Sequence, residues 1–266
     1  MAEPNRDKFE KKLAKELGQL FSAFSGHLYE ALEGAGWSVE DIPPEIWDEF
    51  SAEQRRVLLP FLERTSLEWA DALMETVSVG VDWSLINEEA AQWARMYSGE
   101  LISGISQTSQ TETMNAIRNS IATFFETDMT LPELERMLAE DPQTAQLFYD
   151  DVKDRLGRTF GTNRARMIAI TETTRSASQG QIIAGRGIER EGIEIAYIWF
   201  TSSDDRVCPI CSPLDRVAAT TIIDGRPQWE HPRFGMTEEP PAHVNCRCRM
   251  GLEFANHEYR TRNNRT

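Results

Sequence analysis

Cys208-Pro-Ile-Cys211 and, further along, His243-Val-Asn-Cys246-Arg-Cys248 are the stretches on which the reading of this chain turns. All four cysteines of the 266 residues fall inside these two pieces. A reducing compartment seldom preserves disulfides, whereas a C-x-x-C knuckle and a distant second pair supply what a tetrahedral zinc ion requires: two turns that each present two soft ligands. In an extended Cys246-Arg247-Cys248 the two thiols point to the same side, so both can reach one ion. Five groups then compete for four positions. Cys208, Cys211 and Cys248 take three of them, and Cys246 and His243 are rivals for the fourth. Four thiolates would give the site a formal charge of about -2, and a set containing His243 about -1; Arg206, Arg247 or Arg249 could offset either. Because the supply of ligands exceeds four, a closed structural Zn2+ is expected and no catalytic residue is assigned; His231 and His257 are read as surface histidines.

Working outward, the charge divides the chain. Residues 1–152 carry 11 basic and 29 acidic side chains, net -18, and residues 153–266 carry 17 and 14, net +3. The basic groups of the second part are Lys153 and sixteen arginines, whose planar forks suit carboxylates and phosphates. Hydrophobic residues at 40% and charged residues at 27% describe a folding chain rather than a disordered one. The acidic half disfavours a broad nucleic-acid footprint, since it would repel a phosphate backbone. The longest apolar runs, such as Ile195-Ala-Tyr-Ile-Trp-Phe200, are far below the ~18 residues of a membrane span. Met1-Ala-Glu-Pro-Asn-Arg6 contains no secretory core, so a soluble product of the cytoplasm is expected.

The acidic half reads as helical throughout. Phe9, Leu13, Leu17, Leu20, Phe24, Leu28 and Leu32 form one stripe, which Gly34-Ala-Gly36 ends. Ser51 with Gln54 has the form of a capping box opening a second helix, bent at Pro60. Asn87 is placed as the cap of a third, and further helices are expected over 110–125 and 131–139, the last opened by Thr130-Leu-Pro-Glu133. Trp37, Trp47, Trp69, Trp83 and Trp93 at helical spacing are read as core or partner-groove residues. In the second half a helix spans 162–184, with Ile168, Glu172, Arg175 and Gln179 on one face and Gly185-Arg-Gly187 stopping it. Glu172 on that face should be partly buried and paired with Arg175 or an arginine of the cysteine module. Strands are expected over 194–201 and 217–223, with a turn at Asp224-Gly225. The fold class is therefore α+β: a mainly helical N-terminal region, then a small α+β zinc-stapled C-terminal module. Two domains are expected, an acidic helical region 1–105 and a second domain 106–266 that carries the Cys/His module at about 195–252.

One family shares this order of elements. Arg166-Met-Ile-Ala-Ile-Thr-Glu172, Gly180, Trp199, Asp205-Arg-Val-Cys-Pro-Ile-Cys211 with Leu214-Asp215, and Pro240-Pro-Ala-His-Val-Asn-Cys-Arg-Cys248 together resemble the phage head morphogenesis, or minor head, proteins of the Mu F-like group. The resemblance covers roughly residues 110–252. It implies a structural, non-enzymatic protein of a tailed-phage virion, assembled in the host cytoplasm. Portal or major capsid protein would be its partner, with packaged DNA as a further one and neither membrane nor small-molecule substrate. Two positions depart from the pattern: Ala242-His243-Val244 lacks a proline flanking the histidine, and Arg216 stands where many relatives have glycine. The alternative class is a zinc-dependent nuclease of treble-clef type, which would use His231 or His243 beside the metal. A regulatory zinc module that binds a host protein is a third.

Overall fold

The computed structural model describes residues 4–76, 82–125, 129–202 and 209–254. Among the described residues six helices come first: α1 Arg6–Gly34, α2 Pro44–Met74, α3 Trp83–Phe124, α4 Leu131–Glu140, α5 Pro142–Thr159 and α6 Thr162–Arg190. Five short strands follow among the described residues: β1 Ile195–Phe200, β2 Thr221–Ile223, β3 Arg226–His231, β4 Gly235–Thr237 and β5 Arg249–Phe254. The α+β class read from the sequence is what the chain adopts. No helix among the described residues is long and apolar enough to cross a membrane.

Two compact units emerge. One contains Met1–Lys12, Leu59–Met96 and Met167–Thr266, the other Leu13–Leu58 and Tyr97–Arg166. They interleave along the chain, where the expected division at 105/106 is sequential. The reason is helix length: α1 has 29 residues and α3 has 42, and α1, α2, α3 and α6 each supply residues to both units.

The Leu13–Leu58/Tyr97–Arg166 unit is a helical core of aromatic rings. Phe24 stacks on Phe50 at 3.8 Å between centroids, and Phe160 meets Phe21, Phe24 and Phe50 edge-on. Trp37 packs between Phe148 and Tyr149. Arg164 lies over the Phe21 and Phe160 rings and donates to Ser109 Oγ at 3.0 Å and the Ile105 carbonyl; burial lowers its pKa against the opposing pull of Glu112. Among the tryptophans Trp37 and Trp69 are buried, as a core role demands, but Trp83 is exposed.

Several helix ends differ from expectation, each for a local reason. α2 begins at Pro44, so Ser51 and Gln54 sit inside it; their side chains bond Ser106 of α3 instead of capping. α3 opens at Trp83, where the Asp82 carboxylate accepts from Ser84 N, so Asn87 is internal and the third helix continues unbroken to Phe124. The Thr130–Glu133 capping box forms as read. α5, absent from the sequence reading, is capped by Asp141, which accepts from Gln143 N and Thr144 N.

In the other unit α6 is buried almost all round between Ala169 and Gly185 although rich in Ser, Thr and Gln. Small side chains let neighbours approach: a Cβ on Gly180 would fall 2.1 Å from the Ser66 carbonyl oxygen of α2. Gly185 does not stop α6, which continues to Arg190. Its bare Cα leaves room for the Tyr197 hydroxyl and Ile195 of β1. β1 and β5 pair antiparallel, from Ile195 opposite Phe254 to Phe200 opposite Arg249. β2, β3 and β4 form an antiparallel meander, and an isolated Ile198–Ala218 bridge links β1 to the segment that precedes β2. The β2–β3 turn is Asp224-Gly225, both with positive φ, the geometry of a two-residue hairpin. Trp199 and Trp229 meet edge-on at 5.3 Å in a core with Ile182, Leu214, Met250 and three cysteines.

Candidate metal centre

Two short segments bring the sulfurs together. Cys211 opens a single 3-10 turn, Ser212–Leu214, and Cys246 and Cys248 lead into β5. β5 is fixed by its ladder with β1, and the 211–217 turn is fixed to the same strand, because Arg216 N donates to the Trp199 carbonyl and Trp199 N to the Val217 carbonyl. One strand therefore sets the position of both halves of the site.

The ligand atoms of Cys211, Cys246 and Cys248 all lie within 4.8 Å of one another, and these residues are only 0%, 1% and 4% exposed. Cys211 Sγ is 3.8 Å from Cys246 Sγ and 3.3 Å from His243 Nε2. Sulfurs bound tetrahedrally at about 2.3 Å from zinc would be about 3.8 Å apart, and a sulfur and an imidazole nitrogen about 3.5 Å apart. This buried three-cysteine group could hold a metal ion. Cys208, read as a ligand, lies outside the described residues, as do Arg206 and His257.

Electrostatics favour a cation here. Three thiols crowded in an apolar core cannot all ionise alone. Hydrogen bonding with Cys211 and then Cys248 pulls the Cys246 thiol strongly down, and bonds to Cys246 and Cys248, with burial, push Cys211 far up. The Trp199 side chain, wholly buried in the same core, hydrogen-bonds the Cys248 sulfur and favours its thiolate against burial. His243 Nδ1 lies 2.8 Å from the Val244 carbonyl. Donation there would leave Nε2, on the Cys211 side, unprotonated and able to ligate.

The loop around the sulfurs is anchored by residues that sequence reasoning left without a role. Thr171 Oγ1 accepts from Asn245 N at 2.9 Å, and Thr174 Oγ1 donates to the Cys246 carbonyl at 2.7 Å. Arg6 donates to the carbonyls of Cys246, Arg247 and Cys248, and also bonds Thr174 Oγ1 and Glu10. Glu10, itself buried, also pairs with Arg247 at 2.7 Å. The threonines, three apart on one helix face, carried a faint signal; Arg6 carried none, because more than 240 residues separate it from the cysteine turn it holds.

His231 is buried rather than superficial, at 4% exposure. Its Nε2 lies 2.5 Å from the Ile210 carbonyl and its Nδ1 accepts from Arg233 N and Phe234 N, so it braces the turn that precedes Cys211. The pairing expected of Glu172 is present but loose: it is buried, with Arg175 Nε at 3.9 Å. Arg216, the departure from glycine, adopts φ 60, the left-handed conformation that glycine takes without strain, so the turn keeps its geometry.

No curated protein and no solved structure matches this chain. Residues 131–251, which run from α4 into β5 and hold every described residue of the cysteine site, match the family described as phage Mu protein F like protein.

Proposed function

We propose that this chain is a minor head protein of a tailed bacteriophage, assembled into the virion in the host cytoplasm, where it contacts portal or major capsid protein. Packaged DNA is a further partner. The observation that carries the reading is that the Mu F-like match extends over the whole described cysteine site. The protein works as a structural component and not as an enzyme. Its ion is Zn2+, held by Cys211, Cys246 and Cys248 with Cys208 or His243 completing the tetrahedron. The ion's role is to fix the turn before β5 against the turn before the 3-10 segment, giving short strands a rigidity that their small core would not provide. Burial of the three thiols supports this role, because a catalytic ion needs an open position that substrate can reach.

The nuclease alternative draws no support from His231, both of whose ring nitrogens face backbone partners. Mass spectrometry of purified particles should find the chain, and tagged portal protein should retain it in a pull-down. Particles that lack it, with no retention on portal or capsid protein, refute the assembly role. Plasmid cleavage lost in His243→Ala would replace it with the nuclease.

A further inference from the structure

Beside the metal loop is a cavity of about 200 Å3, lined by Arg6, Arg247, Arg249, Ser178, Gln181 and Thr201 among others, with Trp69 and Cys248 completing its walls. In a chain with 43 acidic and 28 basic side chains, a lining with three arginines and no carboxylate concentrates positive charge. Glu10 pairs with Arg6 and Arg247, and Asp7 with Arg247, but neither lines the cavity. Arg6 contributes charge only, since its five N–H groups are already directed at Glu10, Thr174 and the loop carbonyls. Arg249 is held over the Phe200 ring, 4.4 Å from its centroid, which fixes the guanidinium in place.

The independent observation is Ser178. It lines the cavity, is 1% exposed, and its hydroxyl has no hydrogen-bond partner. A buried hydroxyl without a partner costs about 1–3 kcal/mol, and a ligand accepting from it would remove that penalty. Donors face the space from Ser178 and Gln181 of α6 and from Arg249 at the start of β5, which suits a compact acceptor with oxygens in more than one direction better than a flat carboxylate. At about 30 Å3 per water the volume holds only some six or seven waters, too little for a drug-sized ligand.

We infer that this cavity is a binding site for a small tetrahedral oxyanion, phosphate or a phosphate monoester, read by Ser178 and Arg249 in the field of Arg6 and Arg247. A free ion and the end of a nucleic-acid strand present the same chemistry here, and the test separates them. The test uses the full metal-loaded chain, titrated calorimetrically with inorganic phosphate, with a 5′-phosphorylated trinucleotide and with the same trinucleotide lacking the phosphate. Ser178→Ala and Arg249→Gln, checked for unchanged zinc content and circular dichroism, should each weaken phosphate binding by about tenfold or more, the loss expected for one charge-assisted hydrogen bond. Binding of inorganic phosphate as tight as that of the trinucleotide assigns a free-anion site. Tighter binding of the 5′-phosphorylated trinucleotide than of either control assigns a strand terminus. An absence of binding, or binding that both variants retain in full, overturns the inference.

Discussion

The aromatic helical unit and the cysteine unit are held together by different means. Around Phe24, Phe50 and Phe160 stability comes from ring packing between long helices, which is non-directional and distributed over many contacts. Around Cys211, Cys246 and Cys248 the strands are three to six residues long, and what fixes them is a small set of directional interactions, the Arg6–carbonyl bonds and the Thr171 and Thr174 contacts, beside a three-cysteine group that could hold a metal ion. Loss of one contact in the first region should be shared by its neighbours, while loss of the proposed ion in the second should release the whole turn.

The sharpest way to break that contrast is to remove metal. Structural zinc contributes on the order of 10 kcal/mol to the folding of small modules. Chelation should therefore raise hydrogen exchange strongly in peptides within 209–254 and leave those from 13–58 and 97–166 protected. Equal loss in both sets would mean that the units are not energetically distinct. Next in size is Phe148→Ala in the aromatic unit. Phe148 is wholly buried against Trp37 and Phe125, so denaturant unfolding should show a loss of about 3–5 kcal/mol, with zinc content unchanged.

Arg6→Ala should do the reverse, leaving the aromatic unit intact while weakening zinc binding about 10- to 100-fold, the usual effect of removing a group that orients a metal loop. Competition with a chromophoric chelator measures it, and an unchanged affinity would show that the sulfurs hold their geometry without α1. The smallest effect is a gain. Arg216→Gly relieves a positive φ and should raise the unfolding midpoint by an amount equivalent to about 0.5–1 kcal/mol, since the left-handed conformation suits glycine.

Much of the candidate centre was legible because its signal is local. Cys-x-x-Cys, Cys-x-Cys and the nearby histidine state their chemistry by spacing alone, and the structure brings Cys211, Cys246, Cys248 and His243 together. Helices with one apolar stripe or a capping box, such as α1 and α4, were equally readable. What misled were signals that local sequence shares with tertiary contacts. Ser51 and Gln54 look like a cap because their side chains form hydrogen bonds, yet the partner is Ser106. Gly185 looks like a terminator because glycine ends helices, yet the missing Cβ makes room for Tyr197. His231 looks superficial because nothing local shows that the Ile210 carbonyl needs a partner.

The sequence alone therefore determined the chemistry and the class: soft ligands at metal spacing, helical periodicity before them and short strands around them, all set by residues within a few positions of one another. Only the tertiary structure decided that helices crossing between segments would interleave two units, and that a guanidinium from the first helical turn would reach the carbonyls beside the last two cysteines. Those outcomes depend on chain segments distant in sequence becoming neighbours, and the free energy that selects such neighbours is summed over the whole packed molecule, with no residue carrying it alone.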